Sequence, residues 1–158
     1  MKFKDVFEKW ELSRVSLNLK FAELEFCPNN SDEVAAWEMY VELITRITTQ
    51  KLHDDSGDEA TALDSVYQMF AITRDILKTH GRKCNAFAKI AIIILNQIIR
   101  PFTAKWHKRH LDSELSTPEV KNCFRHELEL LQIDLRNYSK LLAEMANVED
   151  LTAYTIEE

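Results

Sequence analysis

The sequence predicts an all-α fold, an antiparallel bundle of about five helices around a central apolar helix at positions 82–100. Three observations predict it. Two glycines and three prolines punctuate 158 residues, too few for the many tight turns of a sheet protein. Apolar residues recur in steps of three and four along most of the chain, the spacing of one helix face. The run Ala86–Ile99, AFAKIAIIILNQII, is the most apolar stretch. It falls short of the ~20 residues a membrane span needs, and Lys89 interrupts it, so it reads as a core helix.

The first helix is expected from Phe3 to Phe26, with Phe3, Phe7, Trp10, Leu17, Phe21 and Leu24 on one face and Arg14 in the same stripe. Cys27-Pro28-Asn29-Asn30 ends it, because proline cannot continue a helix and asparagine favours turns. The second helix takes Ser31 as N-cap, with Asp32 and Glu33 in a first turn whose dipole favours negative charge. Its seam is Val34, Trp37, Val41 and Ile44, widened by Leu43 and Ile47. After a polar loop at 52–57, the third helix covers about 58–79, with Leu63, Val66, Phe70 and Leu77 inward and Gly81 as a stop.

The fourth helix begins near Arg82 and carries the central run until Pro101 kinks or ends it near Ile99. Phe102–Leu111 follows as a short helix or a bent continuation. The fifth opens at Thr117-Pro118-Glu119, a capping hydroxyl, a proline at the first helical position and an acid in the first turn. Phe124, Leu128, Leu131, Leu135, Tyr138, Leu142 and Met145 keep a heptad-like seam to its end. Residues 1–146 therefore form one domain, and 147–158 an acidic C-terminal tail expected to fray.

Hydrophobic residues at 46% and charged residues at 29% suit a soluble globular chain rather than a disordered one. The net charge of −6 excludes a surface adapted throughout to nucleic acid but leaves local patches open. Cys27, Cys84 and Cys123 are odd in number and widely spaced, which points to reduced thiols and a cytoplasmic location. The amino-terminal MKFKDVFEKW is amphipathic and charged, without the apolar core of a secretion signal.

Charge is unevenly distributed. Ile76–Leu111 contains no Asp or Glu, so the rest of the chain holds all 26 acids and 12 of the 20 Lys and Arg, a net −14. At about 100° per residue, Arg82, Lys89, Asn96 and Arg100 lie on one line of the central helix. Charges on so apolar a helix need partners. Either acids such as Glu38 and Glu42 on the second helix neutralise the line, or it forms an anion site for phosphate, a nucleotide or RNA. The segment Arg100–His110, with Lys105, Trp106, His107, Lys108 and Arg109, mixes basic and aromatic residues as nucleic-acid surfaces do.

Arg74-Asp75-Ile76-Leu77-Lys78-Thr79-His80 resembles the Arg-x4–6-His signature of the HEPN superfamily of helical ribonucleases. That resemblance implies metal-independent RNA cleavage at a site shared by two subunits. Arg74 would then stabilise phosphate charge, and His80 would transfer a proton or hold the scissile phosphate. Arg100…His107 and Arg46…His53 fit the bare spacing too, without a polar residue after the Arg. His107-x-x-His110 and Cys123-x-x-His126 lack a second ligand pair, so no metal is expected. With two glycines no phosphate loop can be built, and no cofactor is expected.

The leading expectation is a non-enzymatic helical-bundle accessory module that binds another macromolecule, most simply a protein, through Arg100–His110 and the exposed side of the fifth helix. The alternatives are a HEPN-like ribonuclease using Arg74 and His80, and an anion or nucleotide sensor. RNA or a phosphate-bearing ligand would bind through Arg100–His110. No membrane partner is expected, and surplus apolar faces on the first and fifth helices allow a homodimer.

Overall fold

In a computed structural model, residues 1–154 are described, and they fold as an all-α protein. Its helices are α1 (Phe3–Lys9), α2 (Leu19–Ala22), α3 (Asn30–Ile44), α4 (Glu59–Tyr67), α5 (Met69–His80), α6 (Asn85–Ile93), α7 (Arg100–Leu111) and α8 (Pro118–Met145). The longest, α8, packs most extensively on α3, which also leans on α5 and α6, while α4 rests on α7 and α8. One continuous core joins these elements. The expected seam of α8 is buried at all seven positions from Phe124 to Met145. Tyr138 is the polar exception. Its buried hydroxyl has no hydrogen-bond partner among the described residues. Tyr138→Phe removes an unsatisfied buried donor and should raise the unfolding free energy by about 1 kcal/mol in urea titrations.

The single first helix expected over 3–26 is instead two short helices folded back on each other. α1 ends in a Schellman motif: Leu12 N–H donates to the Phe7 carbonyl at 2.9 Å and Glu11 N–H to the Glu8 carbonyl at 3.0 Å. Glu11 takes the left-handed position with φ 53°. Glutamate carries no sequence signal for such a stop, which is why the periodicity ran through it. The chain then returns, and Lys2 and Glu25 form an isolated antiparallel bridge. Arg14, freed from any helical stripe, pairs with the buried Asp134 of α8. Glu11→Gly relieves the strain and should raise the thermal midpoint, equivalent to about 1 kcal/mol.

The N-cap of α3 is Asn29, not Ser31. Its Oδ1 accepts the Ser31 and Asp32 N–H groups, and Asp32 Oδ2 returns a bond to the Asn29 N–H at 2.8 Å. The other Asp32 oxygen, Oδ1, accepts the Phe87 N–H at 2.9 Å. Cys84 gives α6 no side-chain cap, so a carboxylate 55 residues upstream caps its first turn. Thr117 likewise gives α8 no side-chain cap. Its hydroxyl meets the Glu114 carbonyl instead.

The third expected helix is present as α4 and α5, joined at Gln68. Gly81 stops it at φ 62°, ψ −152°, a region open essentially to glycine alone. Pro101 neither ends nor sharply breaks the fourth helix. A π turn, Ile94–Ile99, joins α6 to α7, and it contains Gln97, whose carbonyl a proline at 101 would strike in a regular α-helix. The combined helix Asn85–Leu111 is long and apolar enough to cross a membrane, and half of its most apolar stretch is buried against the rest of the protein. The described part of the tail is largely exposed but is anchored at Asp150–Thr152. Asp150 Oδ1 accepts from the Tyr40 hydroxyl at 3.2 Å, the Leu151 N–H donates to that hydroxyl at 2.6 Å, and Thr152 is buried. The rest of the expected frayed tail, 155–158, lies outside the described residues.

Candidate interaction surface

The cationic line does not meet the acids expected for it. Glu38 pairs with His80 and Glu42 with Arg46. Lys89 sits with its Nζ 5.4 Å from the Phe3 ring centre, and the Arg100 guanidinium lies 4.7 Å over the Phe70 ring, its Nε donating to Asn96 at 3.1 Å. Arg82 is exposed. Among the described residues none of these three cations forms a salt bridge. Nor do they converge. Lys89 lines a groove with Ser16, Phe21, Ile92 and Gln97, whereas Arg82 and Arg100 lie outside it. Aromatic faces, not carboxylates, satisfy two of the three charges.

Much of the segment after Pro101 is engaged within the chain, with Phe102, Thr103 and Trp106 buried. Trp106 is fully buried, so it cannot stack on a base, which corrects its assignment to a nucleic-acid surface. Its Nε1 donates to Glu127 Oε2 at 2.9 Å, and Lys105 and Arg109 flank its ring. Lys105 pairs with Glu127, and Arg109 with Glu114 at 2.6 Å. Burial alone would push the Glu127 carboxyl up, but hydrogen bonds from Lys105 and Trp106 outweigh it and hold the group below the ordinary carboxylate range. His107 packs edge-on against Tyr67 at 4.7 Å, while Lys105, Lys108 and His110 are exposed.

Arg74 is exposed on α5, and His80, at the same helix's end, holds Glu38 Oε1 at 3.0 Å. Six residues apart on a helix, their side chains leave the axis roughly 120° from each other. Within one chain they serve different surfaces.

What the sequence missed is on α3. α3 packs on α8, α5 and α6, and its inward residues Ala35, Ala36, Met39, Tyr40 and Leu43 are all buried. Val34, Trp37 and Val41, expected to be the inward seam, remain 43%, 45% and 36% exposed. The helix is apolar on two roughly opposite sides. The inward row mixes the small Ala35 and Ala36 with Met39, Tyr40 and Leu43, and Val34, Trp37 and Val41 are left facing outward. Trp37 and Val41 line a groove of about 390 Å³ with Ile72 and Ile76 of α5. Every charged residue lining it is an acid: Glu38, Glu42 and Asp75.

These observations define an all-helical protein with a half-exposed tryptophan set in an acid-rimmed apolar groove. No family model, no curated protein and no solved structure matches this chain.

Proposed function

We propose that this is a cytoplasmic, non-catalytic helical module that binds another protein through the outward row of α3. The observation that carries the reading is the exposure of Val34, Trp37 and Val41 on a helix whose opposite side already supplies the core. Apolar side chains at positions i, i+3 and i+7 form a continuous strip. A half-exposed tryptophan at its centre is the residue type that most often dominates binding energy at protein contacts. The basic segment around Arg100–His110 is a weaker contact surface, because Lys105, Trp106 and Arg109 are engaged internally.

The test is a photo-crosslinking side chain placed at Val34 in the native cell. The expected result is a discrete protein adduct that disappears when Trp37→Ser is added. Adducts to RNA, or an adduct indifferent to Trp37→Ser, would overturn the proposal.

A further inference from the structure

We infer that the occupant of the α3–α5 groove is a basic amphipathic helix of the partner protein; this rests on the proposed protein-binding function and names the chemistry of its partner. The groove floor is two short apolar rows, Trp37 with Val41 on α3 and Ile72 with Ile76 on α5. Both rows have i, i+4 spacing, so a helix laid between them meets apolar side chains once per turn on each side. From Val34 to Val41 the outward row spans about 10 Å, room for roughly two turns of a bound helix.

The rim decides the charge of the occupant. Glu38, Glu42 and Asp75 line the groove, with no lysine or arginine among its lining residues. Arg46 and His80 meet Glu42 and Glu38 from the groove's ends, and Arg74 and Lys78 are exposed on α5 beyond its lining. The Glu38 and Glu42 side chains remain 41% and 37% exposed despite these pairs, so they can accept a second cation. A second copy of this chain docked face to face would set three carboxylates against three, which like-charge repulsion opposes. A helix with leucine or aromatic anchors on one side and lysine or arginine beside them satisfies both floor and rim.

The experiment uses the full chain and three fluorescein-labelled peptides of about 16 residues: an amphipathic Leu/Lys helix carrying one Trp, the same helix with Glu for Lys, and the Leu/Lys peptide scrambled to lose its apolar face. Anisotropy titrations should show binding of the first alone. Trp37→Ser should weaken it about tenfold or more. Glu38→Gln with Glu42→Gln and Asp75→Asn should weaken it about tenfold and flatten its salt dependence. All substituted side chains are exposed or half-exposed, and an unchanged circular dichroism spectrum confirms that the variants fold. Equal binding of the acidic helix would overturn the basic partner while leaving the crosslinking result, and with it the protein-binding function, intact. Equal binding of the scrambled peptide, or binding indifferent to Trp37→Ser, would reduce the attraction to bulk charge and overturn the groove as its seat. No binding of any peptide would overturn the inference.

Discussion

Trp106→Ala lowers the unfolding free energy by about 4 kcal/mol, the largest loss expected for a single substitution in this protein. The side chain is fully buried and meets the Phe124 ring edge-on at 5.1 Å, so its loss opens a large cavity beside the α8 seam. It also strips Glu127 of the indole donor while Lys105 remains. Trp106→Phe separates the two effects: it keeps most of the apolar volume and should cost about 1–2 kcal/mol for the lost hydrogen bond. The pH dependence has a definite sign. The Glu127 carboxyl is held below its ordinary range in the fold, so its contribution is present above the unfolded carboxylate pKa and is lost as pH falls through the folded value. Urea titrations between neutral and acid pH check this, and Trp106→Phe should shrink the acid-side loss.

Arg125→Ala is the second large effect, about 3 kcal/mol. The Arg125 Nε donates to the buried Glu59 at 2.8 Å, Nη1 to the Leu52 carbonyl at 2.9 Å, and Nη2 to the Gly57 carbonyl at 3.2 Å. Alanine leaves Glu59 buried with Lys121, at 3.9 Å, as its remaining ion-pair partner. It also releases the 45–58 connection, whose backbone carbonyls are gathered by α8: Gln132 donates to Ile47 and Gln50, and Arg136 to Thr49. Two readouts are expected together, a lower denaturation midpoint and faster tryptic cleavage at Lys51. In a cycle with Glu59→Gln the losses should add to less than their sum, because the two side chains share one interaction. Full additivity would mean the pair contributes little and that Arg125 acts through the loop carbonyls.

The α8 seam was legible because a heptad repeat sustained over six turns admits one inward face. The α3 seam was not, because Val34–Trp37–Val41 and Ala35–Met39–Leu43 are both helical stripes and the choice between them is made by neighbours. The break at Glu11 was invisible for a related reason: a glutamate in the left-handed position is held there by the Leu12 and Glu11 backbone bonds, not by any preference of its own. The basic block was correctly seen as needing partners. What periodicity could not supply was their identity, since phenylalanine rings distant in sequence answer Lys89 and Arg100, and Glu127 and Glu114 answer Lys105 and Arg109. The groove on α3 and α5 draws on residues more than thirty positions apart, and only folding brings its two rows side by side.

The π turn at Ile94–Ile99 gives that rearrangement a simple arithmetic. One turn with a five-residue bond holds one residue more than its α-helical equivalent, so everything beyond it is set back by about 100° relative to a uniform helix. Lys89 and Arg100, drawn on a single line when residues are counted at constant pitch, belong to two different phases. The first phase addresses α1, where Lys89 finds Phe3. The second addresses α5, where Arg100 finds Phe70. A single stretch of chain thereby behaves as two helices with independent facings and no loop between them.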